Sequence, residues 1–233
     1  MEEMKMEVNE AVENTTAEDT KENKMGVMPV GRLLWSMSLP MMASMLVMAL
    51  YNIVDSMFVS RISENALTDL SMAFPVQNLM VAISSGLGVG LNAVLSRALG
   101  AKDHESVKRA ATNGVFLLLI CAAAFMALGA TCMRMYFEAQ TDIAEIIESG
   151  VTYTSIVTVG SIGLFLGIFF ERLLQSTGRT VYTMICQLMG SIINIVLDPI
   201  LIFGLLGFPK MGVAGAALAT ILGQWVGACA GLY

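Results

Sequence analysis

Six long apolar runs occupy most of this 233-residue chain, at approximately 33–59, 67–95, 110–132, 150–174, 181–206 and 212–232. Each matches or exceeds the ~20 residues a helix needs to cross the ~30 Å hydrocarbon layer of a bilayer. That layer holds no water for backbone N–H and C=O groups, so only helices and closed barrels span it. None of the runs alternates polar and apolar residues as a barrel strand does. The expected fold class is therefore an all-α membrane protein with six transmembrane helices. Composition agrees: 56% of residues are hydrophobic and 14% charged, against ~25% charged in an ordinary soluble domain.

The joins between runs are polar: "RISENALTD" (61–69), "SRALGAKDHESVKR" (96–109), "MYFEAQTDIAEIIES" (135–149), "QSTGRT" (175–180) and "GFPKMG" (207–212). The formal net charge of −6 belongs largely to one segment. Residues 1–28 carry Glu2, Glu3, Glu7, Glu10, Glu13, Glu18, Asp19 and Glu22. Such a segment buries too little apolar surface to offset its ordering entropy, so it is expected to be an acidic, disordered tail. It lacks the basic start and apolar core of a secretory signal peptide. Residues 29–233 then form the membrane domain. Placing the N-terminus in the cytoplasm puts ten of the 13 Lys and Arg residues inside and leaves Arg61, Arg134 and Lys210 outside. The positive-inside rule favours that orientation, and the expected location is the cell membrane.

Several features argue for packing rather than chemistry. Cys121, Cys132, Cys186 and Cys229 have no metal or redox spacing and are expected as free thiols in helices. The sole histidine, His104, sits among loop charges. "SSGLGVGLNAV" (84–94) lacks the strand and spacing of a nucleotide loop, and "GVAGAALAT" (212–220) places small residues at helical spacing; both indicate close helix approach. No hydrolytic constellation, Walker loop, metal cluster or cofactor motif is present, so no enzyme, cofactor or nucleic-acid partner is expected.

Three acids lie within the spans: Asp55, Glu171 and Asp198. A carboxylate at the bilayer centre costs roughly 2.5–3.5 kcal/mol on insertion scales unless it pairs or meets water. Tyr51 and Asn52 share the helical face of Asp55, and Asn194 shares that of Asp198. "NIVDSMFV" (52–59) and "NIVLDPILI" (194–202) echo one another. Pro40 and Pro199 each free a carbonyl, of Ser36 and Ile195, from its helical N–H. Oxygen-rich surroundings of this kind suit Na⁺ or a protonated carboxyl, and transporters place such irregular helices at mid-membrane sites. Plain inter-helix hydrogen bonding is the competing reading. Glu171 is either a further functional acid or a partner for Arg172 or Arg179.

The chain resembles the multidrug and toxic compound extrusion (MATE) family through "SLPMMASMLVMALYNIVDSMFVSRI" (38–62), "GLGVGLNAVLSRALGAKD" (86–103), "LLQSTGR" (173–179), "GSIINIVLDPILIFG" (190–204) and "GVAGAALATILGQ" (212–224). The likeness covers roughly residues 29–233 and is to the amino-terminal lobe of a twelve-helix transporter, in the branch like the DNA-damage-inducible transporter. It implies export of amphipathic, often cationic compounds driven by H⁺ or Na⁺, with a second six-helix lobe as partner. It further implies one cation site of Asp55, Asn194, Asp198 and Thr220, able to take Na⁺. Tyr51 and Asn52 would border the cavity, and Pro40 and Pro199 would bend their helices. Glu171 departs from the uncharged polar residue expected in several relatives. Two other readings remain open: a flippase for lipid-linked oligosaccharides, whose cavity would need basic residues, and a membrane scaffold without transport.

Overall fold

The computed structural model describes residues 28–62 and 64–232. The acidic tail expected at 1–28 lies outside them apart from Met28. The described residues form eight α-helices and one 3₁₀ turn. In chain order these are α1 (Val30–Ser60), α2 (Glu64–Gly100), α3 (His104–Thr131), α4 (Met133–Glu138), α5 (Ala144–Val159), α6 (Ile162–Ser176), α7 (Thr180–Phe203), the turn Leu205–Gly207, and α8 (Val213–Leu232). Five helices are long and apolar enough to cross a membrane singly; α5 and α6, bent by 43° at a short break, supply a sixth span together. The chain is thus a multi-pass membrane protein. The base of the bundle is the end holding turns 101–103 and 177–179; the top is the opposite end.

Two sequence expectations are corrected. The fourth span, read as one run over 150–174, starts six residues earlier and breaks at Gly160–Ser161. A Cβ on Gly160 would lie 2.3 Å from Ile221 Cδ1, so α8 presses on the chain where it turns. The polar joins 61–69 and 96–109 are also mostly helical. Polarity there marks where helices leave the apolar layer, which does not require them to end. α2, at 37 residues, spans about 55 Å at 1.5 Å per residue and outruns the bilayer.

Local chemistry sets the ends. Lys102 adopts φ 56° in the turn between α2 and α3. Asp103 then caps α3, accepting the Ser106 N–H at 3.1 Å and its hydroxyl at 2.6 Å. α7 ends at Gly204, φ +74°, where a Cβ would sit 2.8 Å from Lys210 N. α7 and α8 form the tightest helix pair. On α8, Gly215, Ala219, Gly223, Gly227 and Gly231 recur every four residues. Cβ atoms on Gly215 and Gly223 would meet Leu201 and Gly190 backbone at 2.6 and 2.7 Å, so small residues are what admit this approach. Of the glycines in "SSGLGVGLNAV", Gly88 alone is crowded; a Cβ there would lie 2.9 Å from Arg172 Cγ.

The core falls in two clusters. One, towards the top, joins Val59, Ala73, Phe137, Tyr153, Ile202 and Ala216; the other joins α2, α3 and α6 through Met80, Leu95, Leu118, Phe125 and Phe165. α1 packs chiefly on α7 and leaves Leu34, Trp35, Met42, Met45 and Met57 exposed, an apolar surface suited to lipid or to another membrane segment.

Candidate functional site

Asp55 and Asp198 meet. Each stands five residues from the top, C-terminal end of its helix, α1 and α7, and because the two helices run in the same direction this matched register brings their carboxyls within hydrogen-bond range of one another. Both residues are buried, Asp198 completely. Oδ1 of each has no hydrogen-bond partner among the described residues.

Asn194 links the pair to α8. Its amide is assigned the orientation that satisfies both ends: Nδ2 donates to Asp198 Oδ2 at 3.2 Å, and Oδ1 accepts from Thr220 N–H at 3.1 Å. The Thr220 hydroxyl donates back to Ala216 O at 3.0 Å. This reach is short because Gly223 lets α8 lie against α7, its Cβ position 3.2 Å from Asn194 Cβ. Asp55, Asn194, Asp198 and Thr220 therefore form one polar node. Two carboxyls so close in a buried setting require a shared proton or a cation to hold them together.

A cleft of about 200 Å³ opens beside the node between α6, α7 and α8, with α1 at its edge. Tyr51, one turn from Asp55, lines it, as do Asn194 and Thr220. Glu171 also lines it, nearer the base. Its carboxylate accepts from Gln175 Nε2 at 3.0 Å, while the Arg172 guanidinium donates to Gln175 Oε1 at 2.7 Å; no ion pair joins Glu171 to Arg172 or Arg179 among the described residues. Asn52 is exposed and does not line the cleft. Pro40 lies within an unbroken α1, where the Ser44 hydroxyl takes up its carbonyl at 2.9 Å; Pro199 lies within an unbroken α7.

Sequence reasoning missed two buried polar groups. Tyr153 of α5, almost wholly buried, accepts from Gln77 Nε2 at 2.9 Å and lies within electrostatic reach of both Asp55 and Asp198. Asp69, assigned above to a polar join, is buried in α2 and accepts the Ser149 hydroxyl. The spacing Ala66, Asp69, Ala73 along one helical face was the signal that could have found it.

An all-helical membrane protein with acids buried between its spans is the class that fold and site define. The MatE family profile matches residues 40–200, and the chain belongs to that family, whose members are transporters and not enzymes. A protein of Shewanella oneidensis named FAD transporter is 31% identical over 201 residues, 85% of this chain and 44% of its own length. One of Thermotoga maritima, named probable multidrug resistance protein NorM, is 30% identical over 192 residues, 82% of this chain and 41% of its own. The solved outward-facing conformation of a multidrug resistance MATE family transporter superposes with a TM-score of 0.83 at 29% identity, over 90% of this chain and 46% of that one. The chain thus spans less than half the length of the relatives it matches, with an architecture equivalent to one lobe.

Proposed function

We propose that this chain forms the ion-coupling lobe of a cation-driven antiporter that exports amphipathic, cationic compounds. The observation that carries the reading is the contact between Asp55 and Asp198 from two different spans. Unit charges 4 Å apart repel by about 4 kcal/mol at an effective dielectric of 20. Binding of H⁺ or Na⁺ removes that repulsion, so α1, held mainly by α7, packs differently in the loaded and empty states. Inward movement of one charge supplies about 2.3 kcal/mol per 100 mV of membrane potential.

The acids at cleft depth favour cationic cargo over a lipid pyrophosphate or an anionic dinucleotide such as the FAD of the Shewanella relative's name. Arg172, the nearest cation, does not line the cleft. A second six-helix lobe is the partner this mechanism needs, and a cytoplasmic N-terminus is the orientation that the lysine and arginine asymmetry supports. The test is uptake into proteoliposomes holding the complete transporter under an imposed pH or Na⁺ gradient. Asp55→Asn with Asp198→Asn should abolish gradient-driven exchange; undiminished exchange would overturn the reading.

A further inference from the structure

We propose that Glu171 anchors a second site, for a lipophilic cation, at the base end of the cleft and apart from the Asp55–Asp198 pair. The proposal rests on the reading of the chain as a transporter lobe and adds where the cargo's charge is held. Glu171 is half-buried on α6 and faces the cleft. Its hydrogen bonds come from neutral amides, Gln175 and Gln187. Arg172, next in sequence, acts on this carboxylate through its charge and not through a salt bridge: its stem lies over Gly88 of α2, its head reaches Gln175, and it does not line the cleft. No cation among the described residues lines the cleft beside the carboxylate.

Two further groups point to a ligand. Thr183, 2% exposed, lines the cleft one helical turn from Gln187, and its Oγ1 has no hydrogen-bond partner among the described residues. Gln224 Oε1, one turn along α8 from Thr220, is likewise a buried acceptor without a donor. The walls between are apolar, formed by Met48, Val81 and Ile168. Gln187 and Asn194 stand seven residues apart on α7, about 10 Å along the helix axis. That separation lets a bulky organic cation sit beside Glu171 while a small ion occupies the aspartate pair. A delocalised cation leaves water at low cost and gains both apolar contact and the cleft-facing carboxylate. An anion of the same shape gains the contact but meets repulsion.

Tetraphenylphosphonium and tetraphenylborate share that shape and differ in sign. Equilibrium binding of each would be measured to the full chain in lipid nanodiscs, with empty nanodiscs as the baseline for lipid partitioning. Tetraphenylphosphonium should bind at least tenfold tighter than tetraphenylborate. Glu171→Gln, which keeps the bond from Gln175, should weaken tetraphenylphosphonium at least tenfold. Equal affinity of wild type and Glu171→Gln, or no preference for the cation in wild type, would overturn the proposal. A readout on the unmutated chain guards against a variant that does not fold: the cation should slow alkylation of Cys186, which lines the cleft, and unchanged alkylation would count against the site. Binding at equilibrium needs no ion gradient. Undiminished exchange by the Asp55→Asn, Asp198→Asn variant therefore overturns antiport and leaves this site standing, whereas cation binding unaffected by Glu171→Gln overturns this site and leaves antiport standing.

Discussion

Asp103 shows how a single exposed side chain ties the lobe to pH. The Ser106 hydroxyl, and then its N–H, hold the Asp103 carboxyl below the usual carboxylate range. A carboxyl lowered in the folded state adds stability above its unfolded value of about 3.9, and loses it as pH falls through the folded value. Asp103→Asn keeps a capping oxygen without the charge. The melting temperature in detergent should therefore fall more steeply between pH 5 and 3 for wild type than for this variant. Parallel curves would mean that the cap does not couple to unfolding. Deeper in the lobe, Tyr153→Phe strips the half-buried Gln77 amide of its acceptor, and the lost hydrogen bond should cost about 1 kcal/mol of stability, read from the same melts. The acids of the node could be singled out from sequence because a carboxylate in an apolar run is costly wherever it lands. Tyr153 and Gln77 could not, since an amide and a phenol are common in membrane helices and only the packing of α2 against α5 pairs them.

Among the elements, the α7–α8 pair decides whether the node exists. Asn194 reaches the Thr220 backbone only because Gly190 and Gly223 let the two helices touch backbone to backbone. A side chain at Gly223 would enter at 2.7 Å from the Gly190 carbonyl oxygen, whereas a methyl at Gly227 meets nothing nearer than Cys186 O at 3.4 Å. Gly223→Val should destabilise the lobe by about 1–3 kcal/mol or more and uncouple Thr220 from Asn194, while Gly227→Ala should melt within a degree or two of wild type. Equal melting of the two variants would remove the close approach as the cause. The stripe of small residues on α8 was visible as a pattern, and the structure supplies its partner. The break between α5 and α6 was not visible: Gly160 and Ser161 sit in a continuous apolar run, and the bend follows from Ile221 of another helix pressing on Gly160. A single run carries no record of what packs against it. Helix number and order were legible because bilayer thickness sets span length; helix ends were less so, because α2 and α3 continue into polar sequence beyond the bilayer.

At the scale of the whole molecule, the node and the cleft lie inside these six spans, while transport, in the function proposed above, lies between conformations. Each site residue belongs to α1, α2, α6, α7 or α8, so occupancy is a property of the lobe alone. Converting occupancy into transport requires the cleft to face alternate sides of the membrane. The exposed flank of α1, with Trp35, Met42 and Met45 outward, is where a second membrane body could act on the helix that carries Asp55. The two functions should separate in one experiment. In proteoliposomes, these six spans without a second lobe should bind tetraphenylphosphonium saturably yet accumulate none of it under a pH gradient. The complete transporter should accumulate it against its concentration gradient, by about fiftyfold for each charge moved through 100 mV. Gradient-driven accumulation by the six spans alone would place the whole alternating machine, and not just its ion site, within this lobe.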